Sequence, residues 1–236
     1  MRRFGVLVVG LLLAVTTAGC GWPKDAGGTL ADVRGGVLRV GVTENPPWVR
    51  LEGEPSGAEV ELVRRLAGRL GATVEWHPGS ESSLMAALRD RVLDVVVGGL
   101  DANVPWIEQA ALTRPYVTTR TLVAVPEGGG AVPEDLAGVR VAVQAGTAEV
   151  AALAAEKAEV VTVPEVTGAE GMPVVVGDWR LGELHLTGTG VELAAHEHVW
   201  ALPPGENGWQ VEVERFLAEQ GDDAVEELLV AAERAR

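Results

Sequence analysis

The chain has 236 residues, of which 34 are acidic and 19 are basic, and its formal net charge at pH 7 is −15. This balance argues against a nucleic-acid-binding protein, which needs a basic face, and against adsorption to an anionic membrane by charge alone. Cys20 is the only cysteine. No disulfide can therefore form within the chain, and its stability must come from the hydrophobic core.

The first residues have the pattern of an export signal. Arg2 and Arg3 precede an apolar run over residues 5–15, and small residues lead from there to Cys20. A basic start, a short apolar stretch and small residues before a cleavage site are typical of a secretory signal. The run is too short to cross a bilayer, which takes about 20 apolar residues. We therefore predict that residues 1–19 are a signal peptide.

The residues around the cysteine carry a resemblance to a known motif. Ala18 and Gly19 directly before Cys20 resemble the lipobox of bacterial lipoproteins, although Thr17 stands where that motif usually has leucine. The resemblance implies that Cys20 is lipidated and holds the mature protein on the extracytoplasmic face of the cell membrane. The alternative is an ordinary secretory signal with a chance cysteine. Residues 20–36 lack apolar periodicity, which favours a flexible tether between the anchor and the domain.

Strand and helix patterns then alternate. Alternating or continuous apolar residues predict strands over residues 37–42, 73–76 and 93–97. Apolar residues at helical spacing predict helices over residues 57–70 and 82–88. Consecutive strands joined by helices through short links imply parallel strands with right-handed crossovers. We therefore predict half of an open α/β sheet.

A second unit of the same kind follows. Its predicted strands cover residues 121–125, 139–143, 160–163 and 174–176, with a helical turn at 133–138 and a helix at 148–158. Residues 209–232 read as two terminal helices, because apolar side chains recur at helical spacing in each half. The chain is thus predicted to hold two α/β units and a helical C-terminus.

The order of these motifs resembles the extracellular solute-binding proteins of bacterial ABC importers, in the class that carries polar amino acids. The resemblance is carried by an ordered set of short segments rather than by one specific motif. These segments are Leu38–Val42, Asn45–Trp48, Gly57–Leu62, Leu93–Gly99, Pro115–Tyr116, Asp135–Gly138, Val141–Thr147 and Val174–Asp178.

The resemblance implies a two-lobe α/β fold of the periplasmic-binding-protein kind, with two crossing strands. Lobe one would comprise residues 37–117 and 203–236, and lobe two residues 118–202, with crossings near 118–122 and 198–202. The implied function is a monomeric, lipid-anchored receptor that captures a small molecule between its lobes for an ABC permease. The resemblance implies no cofactor.

Roles in the cleft are also implied. Trp48 matches the aromatic residue that packs on the ligand, Thr147 a carboxylate-binding hydroxyl, and Asp178 the acid that takes the ligand's amino group. The family's carboxylate-clamping arginine is missing, since Trp106 stands at its position, and Asp101 stands where a threonine is common. Tryptophan cannot make the bidentate contact of an arginine with a carboxylate.

These residues together indicate an aromatic and acidic cleft. We therefore predict weak recognition of amino-acid carboxylates, and a ligand that is a cation or an amine with an apolar body. Two alternatives stay open. Arg114 could replace the missing arginine, or Asp101 could simply cap a turn while Trp106 packs into lobe one.

Other features of the sequence limit the remaining functions. Residues 164–173 contain two glycines and two prolines, which predicts no helix where the family has a full one. A ligand-free or sensory binding module therefore stays an alternative. His196 and His198 would face the same side of a strand, but a metal site needs at least three ligands. The sequence contains no nucleophile elbow and no phosphate-binding loop, so we predict no enzyme and no metal site.

Overall fold

The computed structural model describes residues 24–103 and 109–235. The predicted signal peptide, the predicted lipidation of Cys20 and the role predicted for Trp106 lie outside the described residues. Within them, no helix is both long and apolar enough to cross a membrane.

Two sheets form the two lobes. In lobe one the strand order is β2-β1-β3-β10-β4. These strands are β1 Val37–Val42, β2 Thr73–Pro78, β3 Val95–Val97, β4 Ala111–Leu112 and β10 Ala201–Leu202. β1 pairs in parallel with β2 and β3, whereas β10 runs antiparallel to β3 and β4.

The sheet of lobe two has the order β7-β6-β8-β5-β9. Its strands are β5 Val117–Pro126, β6 Arg140–Gln144, β7 Glu159–Val163, β8 Val174–Gly177 and β9 Leu186–His198. β6 is parallel to β7 and β8, while β5 pairs antiparallel with β8 and β9. This arrangement confirms the predicted two-lobe α/β fold.

Helices cover the sheets unevenly. They are α1 Thr29–Val33, α2 Ala58–Leu70, α3 Glu81–Arg89, α4 Glu149–Ala155, α5 Asn207–Gln220 and α6 Asp222–Arg234, with a 3₁₀ turn at Asp178–Arg180. In lobe one, α2, α5 and α6 share one core with β1, and α3 packs on the opposite face of the sheet.

The helix α2 forms as its periodicity predicts. Val60, Val63 and Leu66 are fully buried in the core of lobe one. The helix ends at Gly71, whose φ of 65° lies in the left-handed region that glycine adopts without strain. Its hydrophobic face thus fixes the position of the residues at its N-terminus.

The predicted tether is wrong for residues 24–36, which are part of lobe one. The Glu206 carboxylate accepts hydrogen bonds from the backbone N–H groups of Gly27 (2.6 Å) and Thr29 (3.0 Å), and it pairs with Arg91. Val33 is fully buried in the core. A short helix at this point has too few residues for the apolar period to be visible in the sequence.

Lobe two has less helical cover. One face of its sheet packs against Leu153 of α4 and against Leu136. The other face packs against Val166, which lies in the connection between β7 and β8. This connection, residues 164–173, contains no helix, and we refer to it as the bridging loop. The helical turn predicted at 133–138 is wrong, because these residues are bends and turns.

The chain passes between the lobes after β4 and again after β9. β5 and β9 run side by side from the pair Val117–His198 to the pair Pro126–Leu186. The predicted boundary at residue 202 is wrong by a few residues, because Ala201 and Leu202 pair with the strands of lobe one. β5 begins at Val117, and the boundary after residue 117 stays a prediction.

Candidate ligand cleft

A cavity of about 260 Å³ lies between the two lobes, and we call it the cleft cavity. Lobe one lines it with Pro46 and Pro47, in the loop after β1, and with Glu233 of α6. Lobe two supplies the rest of the lining, which consists of Thr121, Val143, Gln144, Thr147, Glu149, Val166, Val175, Val176, Gly177, Trp179 and Arg180.

The lobe-two residues reach the cavity because they follow the ends of parallel strands. β6 ends at Gln144 and is followed by Thr147, and β8 ends at Gly177 and runs directly into the turn Asp178–Arg180. Open α/β sheets bind their ligands at these carboxyl ends. The position of the cavity is therefore the one that the topology favours for a ligand.

Of the residues predicted to bind the ligand, Thr147 lines the cavity. Its side chain is half-buried, and its hydroxyl donates a hydrogen bond to the Gln144 carbonyl over 3.0 Å. Asp178 is adjacent to the lining but is not part of it. Its Oδ1 accepts from the Trp179 N–H at 2.9 Å, and its Oδ2 lies 3.7 Å from Nη1 of Arg120.

Arg180 is the only basic side chain that lines the cavity in the described part of the chain. It is 8% exposed. Its Nη2 donates to the Val166 carbonyl over 3.4 Å, and two carboxylates lie further away, Glu233 at 3.8 Å and Glu183 at 4.0 Å. A guanidinium carries five N–H donors.

Trp48 does not line the cavity. It is 7% exposed and belongs to the core of lobe one, with its ring centroid 4.0 Å from that of His198. The physical reason is a tight loop: Asn45 and Val49 exchange two backbone hydrogen bonds, so Trp48 turns inward while Pro46 and Pro47 lie at the cleft.

Asp101 does not line the cavity either. Its Oδ1 accepts from the backbone N–H of Asn103 at 2.8 Å, and its Oδ2 is 2.9 Å from Nδ1 of His196. Burial by itself would raise the pKa of Asp101, but hydrogen bonds from Asn103 and His196 hold it below its ordinary value. Asp101 thus caps a local turn, which is the alternative that the sequence left open.

Next to this turn, His198 joins the lobes. It is 5% exposed, and its Nε2 lies 2.8 Å from the hydroxyl of Thr119 on β5. Burial, together with the charge of His196, lowers the pKa of His198 to about 4. Among the described residues there is no group of three or more His, Cys, Asp and Glu side chains that could hold a metal ion.

A buried carboxylate holds the turn after β3. Glu59 accepts four hydrogen bonds, from the backbone N–H groups of Gly98 (2.6 Å) and Gly99 (2.7 Å), from the Tyr116 hydroxyl (2.8 Å) and from the Trp200 indole (3.0 Å). Burial raises the pKa of Glu59, and the four hydrogen bonds oppose this shift. The group ties three segments of lobe one together behind the cleft.

Sequence reasoning missed the role of Arg180 and Gln144. Gln144 could have been found, because it directly follows the strand predicted at 139–143 and the ends of strands line such clefts. Arg180 lies two residues beyond Asp178, and only the 3₁₀ turn brings it to the cavity. The proposed substitute Arg114 is 79% exposed and pairs with Glu214, away from the cavity.

Comparison with known proteins agrees with this architecture. The probable amino-acid-binding protein YxeM of Bacillus subtilis is 29% identical over 151 residues, which are 62% of this chain and 55% of that protein. Membrane-bound lytic murein transglycosylase F of Photobacterium profundum is 29% identical over 131 residues, or 54% of this chain. The matched stretch spans only 26% of that enzyme.

A solved structure of an ancestral cationic amino acid solute-binding protein superposes with a TM-score of 0.64 at 23% identity, covering 87% of this chain and 98% of that one. This similarity shows the fold. The sequence pattern of the bacterial extracellular solute-binding proteins, family 3, matches residues 38–229. Because the match takes in both lobes and their crossings, the chain belongs to this family of extracellular solute-binding proteins.

Proposed function

We propose that the protein is a receptor that captures a small amine-bearing molecule in the cleft cavity and delivers it to an ABC importer. The observation that carries the proposal is a cavity between two lobes, placed at the carboxyl ends of β6 and β8, in a member of a solute-binding family. Its volume of about 260 Å³ favours a ligand of amino-acid size.

The charges of the lining favour an amine. Glu149 and Glu233 are acidic and Arg180 is basic, so the described lining carries one more negative than positive charge. Carboxylates in a shared site repel each other unless a cation or a proton lies between them. An ammonium group on the ligand would relieve this repulsion. The acids that support an amine are thus Glu149 and Glu233, because Asp101 and Asp178 do not line the cavity.

A ligand screen tests the proposal. Thermal unfolding of the purified protein would be followed with the common L-amino acids, polyamines and choline-like compounds. A true ligand at about 100 times its dissociation constant should stabilise the protein by about 2.7 kcal/mol. We expect Glu149→Gln and Glu233→Gln to weaken an amine, and Glu134→Gln, which lies away from the cleft cavity, to leave it unchanged.

The competing hypothesis is a ligand-free or sensory module. The bridging loop, which stands where the resemblance implies a helix, is the observation that favours it. If no amine or amino acid shifts the unfolding temperature, the receptor hypothesis fails and the hypothesis of a ligand-free or sensory module is supported. Catalysis is not part of the proposal, because the chain spans about a quarter of the transglycosylase that it matches.

We also propose that Cys20 anchors the receptor to the membrane through a lipid. The support is the sequence Ala18-Gly19-Cys20 behind the apolar run. Cys20→Ala should move the protein into the soluble fraction and abolish labelling by a fatty acid. Equal membrane partitioning of parent and variant, with no label in either, would contradict the anchor. Monomeric behaviour is expected and can be checked by light scattering.

A further inference from the structure

We propose that Arg180 is the anion-binding residue of the cleft, so that the ligand carries a carboxylate as well as an amine. This inference rests on the proposed receptor function and adds a specificity-determining residue to it. It also changes the expectation from the sequence, in which no basic residue was assigned to the cleft.

Arg180 is a buried cation with unmet donor capacity. The Arg180 side chain is nine-tenths buried, and its Nη2 makes a single long hydrogen bond, to the Val166 carbonyl. Its Nε is buried and makes no hydrogen bond to the described residues. Since a guanidinium has five donors, and buried donors without acceptors are costly, an acceptor group in the cavity would be strongly favoured.

The neighbouring carboxylates leave this capacity largely open. Glu233 and Glu183 lie 3.8 and 4.0 Å from Arg180, which is beyond hydrogen-bond distance. Glu183 is engaged more closely by Arg234, at 2.8 Å. These two carboxylates partly neutralise the charge of Arg180, but they accept no hydrogen bond from its guanidinium at these distances.

Arg180 also lies where a ligand would be bound. It lines the cleft cavity together with Thr121, Gln144 and Thr147, and it follows the carboxyl end of β8 directly. The planar guanidinium matches a carboxylate through two parallel hydrogen bonds. The position that the resemblance gives to an arginine, in lobe one between β3 and β4, holds Trp106. The carboxylate would thus be held from lobe two instead of lobe one.

Matched pairs of compounds test this inference, because each pair differs only in a carboxylate. The pairs are L-lysine and cadaverine, L-arginine and agmatine, L-ornithine and putrescine, and L-tyrosine and tyramine. Dissociation constants would be measured by calorimetry on the purified protein. For at least one pair, we expect the amino acid to bind about 30-fold or more tightly than its decarboxylated partner.

Variants then assign the effect to Arg180. Arg180→Gln should bring the acid-to-amine ratio close to one, and Arg180→Lys should keep part of it, because a lysine retains the charge but not the fork. Arg114→Gln is the matched control, since its guanidinium is exposed and pairs outside the cavity; it should leave the ratio unchanged. Glu233→Gln should weaken both members of a pair and so preserve the ratio.

Each outcome decides a different hypothesis. If the two members bind equally to the wild type in every pair that binds, or if Arg180→Gln keeps the ratio, then Arg180 is not the anion-binding residue, while the receptor function stands. If no compound of any pair binds, the proposed amine-binding function fails and this inference fails with it. Should Arg180→Gln not fold, Arg180→Lys and the wild-type ratio still decide the question.

Discussion

The two lobes use the same α/β construction but cover their sheets differently. In lobe one, helices lie on both faces of the sheet, with α2 and α5 on one side and α3 on the other. In lobe two, α4 covers one face, and the bridging loop covers the other with Val166. Lobe one is therefore the frame of the molecule, whereas lobe two is thinly covered and shapes the cleft.

This difference bears directly on the candidate site. Val166 lines the cleft cavity, and its carbonyl accepts the hydrogen bond from Arg180. A helix in place of the bridging loop would satisfy its own interior carbonyls, and this acceptor would then be taken. The bridging loop thus supplies part of the cavity wall and helps to position the buried cation.

The largest loss of stability is expected in lobe one, the frame of the molecule, on substitution of Glu59. Replacing Glu59 with alanine removes the acceptor of four buried hydrogen bonds and leaves their donors unsatisfied. We expect Glu59→Ala to lower the free energy of unfolding by about 4 kcal/mol, since breaking a buried charged network typically costs about 3–5 kcal/mol. Urea denaturation followed by tryptophan fluorescence measures this change.

Glu61→Ala is the matched control for this prediction. Glu61 lies on the same helix, is exposed, and pairs with Arg65 one turn away. Such a pair contributes about 0.3–0.5 kcal/mol. If both variants lose equally little stability, the Glu59 network does not hold the frame together, and the contrast between the lobes loses its main support.

The second prediction concerns the junction of the lobes, at His198. Its folded pKa of about 4 lies below the ordinary value of 6.5, so the unfolded chain binds the proton first as the pH falls. The contribution to stability is therefore intact above pH 6.5, declines from about pH 6.5 to about pH 4, and is lost below that. The full loss is about 3–4 kcal/mol.

Urea midpoints measured between about pH 7.5 and 4.5 test this window. His198→Gln should flatten the decline relative to the parent, because other carboxylates titrate equally in both proteins. His196→Gln should make the decline smaller and end it at a higher pH, because the charge of His196 is one cause of the low folded pKa of His198, whereas the start of the decline is set by the unfolded chain. Parallel curves of urea midpoint against pH for the parent and both variants would show that His198 does not contribute to the pH dependence of stability.

Sequence periodicity predicts the frame better than the cleft. The helix α2 and the terminal helices follow from their apolar spacing, because burial against a sheet imposes the helical period. The strand β9, Leu186–His198, was missed except at its end, because its residues alternate little and it is held by its pairing with β5.

The site was harder to predict for a related reason. Trp48 follows a strand end, as a ligand-binding residue would, yet the backbone bridge between Asn45 and Val49 turns it into the core. Arg180 reaches the cavity through one 3₁₀ turn. Neither feature leaves a period in the sequence, since each depends on the conformation of a few residues. Thr147 follows a clearly predicted strand and lines the cavity, while its role toward a carboxylate stays a prediction.

The third prediction concerns the thin cover of lobe two. Val166 is 2% exposed in the bridging loop. We expect Val166→Ala to lower the free energy of unfolding by about 1–2 kcal/mol, because it removes two buried methyl groups from a loop that can relax into the space. Val92→Ala, at an exposed valine, should change it by less than about 0.5 kcal/mol. Equal effects of the two substitutions would mean that the loop does not act as core.

The smallest loss of stability is expected from an exposed ion pair between the lobes. Arg234 of α6 pairs with Glu183 of lobe two at 2.8 Å, but its side chain is 64% exposed. Exposed pairs contribute between about 0 and 1 kcal/mol, so Arg234→Gln should lower the free energy of unfolding by less than about 0.5 kcal/mol. In about 1 M NaCl this difference should vanish, because salt screens exposed charges.

The apolar contact beside this pair explains why so little is expected from it. Trp179 of lobe two packs against the hydrophobic core of lobe one, and burial of an aromatic side chain contributes more than an exposed ion pair. Trp179→Leu should therefore destabilise the protein more than Arg234→Gln in low and in high salt. A loss above about 1 kcal/mol for Arg234→Gln that persists in high salt would instead assign the connection of the lobes to charge.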